Sequence, residues 1–151
     1  MVLYFGMFFD KSASKIIYEN EKVHLENLPN NFHCTFEFAP KEYNLLNEVI
    51  GKEVSVTLVG YACNGKNSGF EIEIPENIKM YFKNFDNTGK LKIPHITTSI
   101  SKEGKAVDTA NLYFEELDEP IIIKGKFGYF IKDRNKSYIS FNKVETNECN
   151  K

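Results

Sequence analysis

Two of the three histidines in this 151-residue chain lie in closely similar settings. His33 is followed two residues later by Thr35, and His95 is followed in the same way by Thr97. Both segments favour β-strands, and side chains two apart on a strand point to the same face, so each strand presents an imidazole beside a hydroxyl. An imidazole takes up or releases a proton near neutral pH, and a threonine hydroxyl donates to a phosphate oxygen. Two such pairs facing each other would bracket one phosphate without a metal ion.

The chemistry that this pattern predicts is acid–base cleavage of a phosphodiester. One histidine would activate the attacking water, the other would protonate the departing oxygen, and the two threonines would stabilise the transition-state charge. A single His-x-Thr motif is more often a buried, hydrogen-bonded part of a strand, but its repetition favours catalysis over coincidence or a degenerate binding site. His24 has no matching threonine and is predicted to lie at the surface. Cys34 and Ile96 should point away from the histidines into the core.

Charge and cysteine content limit the possible partners. The formal net charge is -2 and the isoelectric point is about 6.0, so the chain lacks the strongly positive field that binds duplex DNA. Its cysteines, Cys34, Cys63 and Cys149, are widely spaced and predict neither a disulfide framework nor a zinc site. We expect no cofactor and a reducing, cytoplasmic location. The apolar residues 2–9 are too few to span a bilayer and predict a buried strand, so no membrane association is expected.

The motifs must be positioned by a mixture of strands and short helices. Asp10 or Ser12 would cap the first helix, and Asn64 to Asn67 would form a tight turn between two strands. The predicted strands cover residues 1–9, 32–38, 54–62, 70–74, 93–100, 120–131 and 137–141, and the predicted helices cover residues 13–20, 40–50 and 75–85. We expect an α+β fold, with one domain over residues 1–143 and a polar C-terminal tail over residues 144–151.

The paired His-x-Thr motifs resemble the signature of the two-histidine phosphoesterase superfamily. Other segments are similar to the family of vertebrate-type 2′,3′-cyclic-nucleotide 3′-phosphodiesterase catalytic domains: Tyr4-Phe5-Gly6 with Phe8, Ser12-Ala13-Ser14, Phe38 and Gly125-Lys126-Phe127-Gly128-Tyr129. This resemblance implies a bilobal α+β fold in which two antiparallel sheets flank a central cleft, with helices outside. Each lobe would contribute one His-x-Thr strand.

The resemblance also implies an activity, the hydrolysis of a 2′,3′-cyclic phosphate on a nucleotide or RNA end to a 2′-phosphate. His95 would be the base for water, His33 the acid for the 3′-oxygen, and Thr35 and Thr97 would hold phosphate oxygens. The candidates for substrate binding are Tyr4, Phe38, Ser99 and Tyr129. Strict strand alternation turns Phe38 away from the His33 face unless the strand bulges. Lys92-Ile93-Pro94 replaces the basic residue that this family carries just before its second histidine, so base recognition could differ.

Two alternatives stay open at this stage. The chain could be a phage-type anti-defence phosphodiesterase that opens cyclic oligonucleotide signals, which would need a cleft open to several bases. It could instead be a nucleotide-binding module that holds its ligand without turnover. The intact histidines and threonines favour an enzyme, and a monomer is the expected state.

Overall fold

Seven strands and four short helical segments follow one another along residues 1–145, the part of the chain that the computed structural model describes. The strands are β1 (Val2–Phe8), β2 (His33–Phe38), β3 (Glu53–Cys63), β4 (Asn67–Glu73), β5 (His95–Ile100), β6 (Glu115–Asp133) and β7 (Lys136–Ser140). The α-helices are α1 (Lys11–Asn20) and α2 (Asn44–Asn47), and 3₁₀ helices cover Glu76–Tyr81 and Ala106–Asn111.

The strands form one antiparallel sheet in the order β2-β1-β6-β3-β4-β5, with β7 also paired to β6. The 19-residue strand β6 pairs with β3 through its first part and with β1 through its second part, so it joins two halves of the sheet. The end strands β2 and β5 contact each other, and the sheet is nearly closed. The predicted α+β class is therefore confirmed, but the strands form one continuous sheet where the resemblance implied two.

The predicted helices differ in how well the structure supports them. Helix α1 begins after Asp10, whose carboxylate accepts a hydrogen bond from the Ala13 backbone N–H at 2.9 Å, as the predicted N-cap. The helix predicted over residues 40–50 is reduced to α2, and the Asn47 side chain at its end hydrogen-bonds to the backbone N–H and carbonyl of Val144. The helix predicted over residues 75–85 is the shorter 3₁₀ helix Glu76–Tyr81.

The core lies against the inner face of the sheet and is rich in aromatic rings. Phe127 stacks on Phe5 with ring centroids 5.3 Å apart and meets the edge of Phe36 at 5.2 Å. Cys34 and Ile96, the middle residues of the two His-x-Thr motifs, are buried here as predicted. The histidine and threonine of each motif consequently face the other way.

Part of the predicted C-terminal tail, including Cys149, falls on residues 146–151 and lies outside the described residues. Among residues 1–145, no helix has both the length and the apolar character needed to cross a membrane.

Candidate active site

A cavity of about 370 Å³ is lined by residues from both end strands of the sheet. His33 and Thr35 from β2 and His95 and Thr97 from β5 all line it. The two motifs, 62 positions apart in the sequence (95 minus 33), thus meet at one site because the sheet nearly closes on itself. Other lining residues include Tyr4, Phe38, Asn84, Lys92, Ala106 and Val107.

The threonine of each His-x-Thr motif lies opposite a glycine on the neighbouring strand. Thr35 pairs with Gly6 of β1, and Thr97 pairs with Gly69 of β4. A Cβ atom at either glycine would collide with a backbone carbonyl oxygen of the adjacent His-x-Thr strand, so the strands approach more closely than other residues allow. The ladder also shifts register next to each glycine. Both halves of the sheet therefore present their motif on the same local backbone arrangement.

The bulge in β2 explains why Phe38 reaches the cavity. The ladder with β1 steps from Thr35 directly to Glu37, which leaves Phe36 without a partner. Such an extra residue breaks the alternation of side chains. Phe38 consequently lines the cavity beside Thr35, whereas unbroken alternation would turn it away.

The bulge in β5 has the opposite effect on Ser99. The ladder with β4 steps from Thr97 to Ser99, and Ser99 turns into the interior with no exposed surface. Its hydroxyl donates to the buried carboxylate of Glu21 at 2.6 Å. Ser99 is therefore not among the residues that line the cavity.

The other two candidates for substrate binding, Tyr4 and Tyr129, also lie in different parts of the structure. Tyr4 lines the cavity, and its ring stacks on His33 with centroids 4.8 Å apart. Tyr129 lies fully buried, and its hydroxyl donates to the Asn47 side-chain oxygen at 2.8 Å. The structure thus brings Tyr4 and Phe38 to the two motifs but leaves Ser99 and Tyr129 in the interior.

Both cavity histidines are held through the same ring nitrogen. His33 Nδ1 lies 3.0 Å from the side-chain oxygen of Asn31, and His95 Nδ1 lies 2.7 Å from the carbonyl oxygen of Ile93. Because these oxygens only accept, Nδ1 of each neutral ring must carry the proton. Nε2 then bears the lone pair in both rings, and each anchor is the residue two positions before its histidine. The two imidazoles therefore share one tautomer and one mode of attachment.

The environment of the cavity favours the neutral form of both imidazoles. The pKa of His33 is lowered to about 4, mainly by burial; the hydrogen bond with Asn31 opposes this shift, and the neighbouring His95 adds to it. Burial also lowers the pKa of His95, opposed by the bond to Ile93 and assisted by the charge of Lys92. An anion bound between the rings would raise both pKa values, because it favours the imidazolium form.

A short hydrogen-bond chain orients the hydroxyl of Thr97. Its oxygen lies 2.9 Å from the hydroxyl oxygen of buried Thr109, in the 3₁₀ helix Ala106–Asn111. The Asn67 amide nitrogen donates to Thr109 at 3.0 Å and to the Lys105 carbonyl at 2.6 Å. The Thr97 hydroxyl donates to Thr109, which also accepts from Asn67, so this chain fixes the position of the Thr97 oxygen at the cavity. Neither Asn67 nor Thr109 lies in a sequence pattern that marks it in advance.

The charge lining the cavity is positive. Among the described residues that line it, Lys92 carries the one formal charge, and its ammonium lies 5.4 Å from the centre of the Phe38 ring. With a cation, neutral imidazoles and hydroxyl donors, the cavity suits an anionic ligand. No three His, Cys, Asp or Glu side chains within residues 1–145 are grouped so as to hold a metal ion.

Comparison with models of known protein families and with curated proteins yields no match for this chain. The assignment of a function consequently depends on the residues of the site themselves.

Proposed function

We propose that this protein is a metal-independent phosphodiesterase that hydrolyses 2′,3′-cyclic phosphates of nucleotides or RNA ends and releases 2′-phosphates. The observation that carries the proposal is the position of the two His-x-Thr pairs, which come from opposite ends of one sheet and line one cavity. In the proposed enzyme, which we expect to be monomeric and cytoplasmic, each pair would grip the same phosphate from its own side.

In the proposed reaction, His95 Nε2 takes a proton from water as the water oxygen bonds to phosphorus. The bond from phosphorus to the 3′-oxygen breaks, and His33, converted to the imidazolium when the phosphate binds, delivers its Nε2 proton to that oxygen. The products are a 3′-hydroxyl and a 2′-phosphate, and the two histidines exchange protonation states. The low pKa of free His33 is compatible with its role as the acid, because the bound phosphate would raise this pKa.

The remaining polar groups of the cavity would stabilise the charge that develops on phosphorus. Thr35 and Thr97 would donate to its non-bridging oxygens, and Lys92 would contribute a positive charge at the same wall. Thr109 would hold the Thr97 oxygen in place until substrate binds, because it accepts the Thr97 proton that would then turn to the phosphate. Tyr4 and Phe38 would contact the nucleoside by stacking.

The division of the sheet supports a bilobal description of the proposed enzyme. One lobe would contain β2, β1 and the second part of β6, and the other would contain the first part of β6 with β3, β4 and β5. Each proposed lobe ends on a His-x-Thr strand that lies opposite a glycine. The family resemblance implies the same contribution of one motif from each lobe.

The size of the cavity favours a single nucleotide over a cyclic oligonucleotide. Its volume of about 370 Å³ is near the lower end of the range of roughly 300 to 1,000 Å³ that is typical of small-molecule sites. One cyclic mononucleotide with its base against Tyr4 or Phe38 would use this space, whereas a cyclic oligonucleotide would extend beyond it.

The proposal is tested by incubating the wild-type protein, in EDTA, with adenosine 2′,3′-cyclic phosphate and with a panel of cyclic di- and trinucleotides. We expect turnover of the mononucleotide, with adenosine 2′-phosphate as the product. Turnover of the cyclic oligonucleotides alone would assign the protein to the anti-defence class. Binding of any of these ligands without turnover would assign it to the nucleotide-binding modules and would refute the proposal.

A further inference from the structure

Asn84 lines the cavity and is buried, with 2% of its surface exposed. Its amide nitrogen donates to the Thr35 carbonyl oxygen at 3.4 Å. Its amide oxygen is the one buried side-chain polar atom within residues 1–145 that has no hydrogen-bond partner. A buried acceptor without a partner is costly, and such atoms are rare in folded proteins.

The orientation of the Asn84 amide follows from its neighbour. The Thr35 carbonyl can only accept, so the NH₂ group must face it and the oxygen must be the unpaired atom. The backbone fixes this position, because the Lys92 N–H donates to the Asn84 carbonyl oxygen at 2.8 Å and a bridge joins Phe85 to Leu91. The same loop therefore brings both Lys92 and Asn84 to the lining of the cavity.

We infer that Asn84 determines substrate specificity by accepting a hydrogen bond from the nucleoside part of the substrate. This inference rests on the proposed function. The phosphate cannot be the partner, because its oxygens are acceptors too and the Asn84 oxygen would repel them. In a 2′,3′-cyclic nucleotide both the 2′- and 3′-oxygens are esterified, so the donors that remain are the 5′-hydroxyl and the N–H groups of the base.

Adenosine 2′,3′-cyclic phosphate makes the inference testable, since its donors are only the 6-amino group and the 5′-hydroxyl. Two analogues each lack one of them: purine riboside 2′,3′-cyclic phosphate has no amino group, and 5′-deoxyadenosine 2′,3′-cyclic phosphate has no 5′-hydroxyl. The wild type should use one analogue about 10 to 100 times less efficiently than the adenosine substrate, as measured by kcat/KM. That analogue identifies the donor that Asn84 contacts.

The matching variant is Asn84→Leu, which keeps the branched shape and removes both the acceptor and the donor to the Thr35 carbonyl. We expect this variant to have a kcat/KM for the adenosine substrate about 10- to 100-fold below that of the wild type. For the analogue that lacks the contacted donor, the variant and the wild type should have the same kcat/KM. The thermal midpoint of the variant should change little, because the variant loses an unpaired buried oxygen and also the 3.4 Å hydrogen bond to the Thr35 carbonyl.

If Asn84→Leu lowered kcat/KM by the same factor for all three substrates, the inference would be overturned. Asn84 would then only support Thr35. Equal use of all three substrates by the wild type would overturn it as well, even if the variant failed to fold. Both results leave the proposed function intact, whereas the absence of wild-type turnover of any cyclic nucleotide would refute the two together.

Discussion

Replacement of either His33 or His95 by alanine is expected to lower kcat/KM for adenosine 2′,3′-cyclic phosphate by about a hundredfold to ten-thousandfold. Each imidazole moves one proton in the proposed reaction, and none of the described residues that line the cavity has a carboxylate that could substitute for it. The double variant should be little worse than the poorer single variant, because an acid and a base that act in one step are not additive. Steady-state rates of the four proteins at one pH provide the comparison.

His24 supplies the matched control. It lies outside the cavity, where its Nδ1 bonds to the Glu21 carboxylate at 2.8 Å and its ring stacks on Tyr18. His24→Ala should therefore keep the wild-type kcat/KM within a small factor. A loss as large as that of the other two variants would show that rates report on folding rather than on proton transfer. Retention of activity by both His33→Ala and His95→Ala would refute the mechanism.

Replacement of Thr35 or Thr97 by valine should cost about a hundredfold to a thousandfold in kcat, the range found when one donor to a developing negative charge is removed. Valine keeps the branched shape and removes only the hydroxyl. KM should change much less than kcat, because the proposed hydrogen bonds strengthen as charge accumulates in the transition state. Measurement of kcat and KM separately for each variant distinguishes this from a loss of ground-state binding.

Serine at either position is the corresponding rescue variant, since it restores the hydroxyl without the methyl group. Thr57→Val, at a half-buried site on β3 that does not line the cavity, controls for the effect of the substitution on a strand. We expect both serine variants and the Thr57 variant to keep a kcat within about tenfold of the wild type. This loss is smaller than the roughly hundredfold to thousandfold loss expected when the donor is removed. Full activity of Thr35→Val and Thr97→Val would contradict the role assigned to the hydroxyls.

Local patterns in the sequence were sufficient to predict the faces of the two motif strands. Cys34 and Ile96 lie in the core as alternation requires, Asp10 caps α1, and β3 pairs with β4 across the turn that begins at Asn64. These features depend on neighbours in the chain, where propensity and periodicity act directly.

The two bulges could not be predicted in this way. The register shift at Phe36 brings Phe38 to the cavity, and the shift at Thr98 turns Ser99 into the interior. Each bulge lies next to a glycine on the neighbouring strand, Gly6 or Gly69, so its cause lies in another part of the sequence. The alternation of side chains along one strand contains no information about the strand that pairs with it.

The loop residues of the site escaped prediction for a similar reason. Asn84 lines the cavity from a loop, Thr109 contacts Thr97 from a 3₁₀ helix, and no short motif marks either residue. The single sheet was also not predicted, because the long strand β6 begins at Glu115, in a charged segment before Pro120 that does not look like a strand. Pairing with β3 as far as Glu115 overrides that local preference.

The most direct test of the shared phosphate site is an NMR titration of the three histidine rings with and without adenosine 2′-phosphate, the proposed product. A phosphate bound between His33 and His95 should raise the pKa of both rings, because its negative charge favours each imidazolium, while the resonances of His24 stay unchanged. A rise at both rings together would establish that one anion contacts the two motifs. A rise at only one ring, or at neither with saturating ligand, would contradict the account.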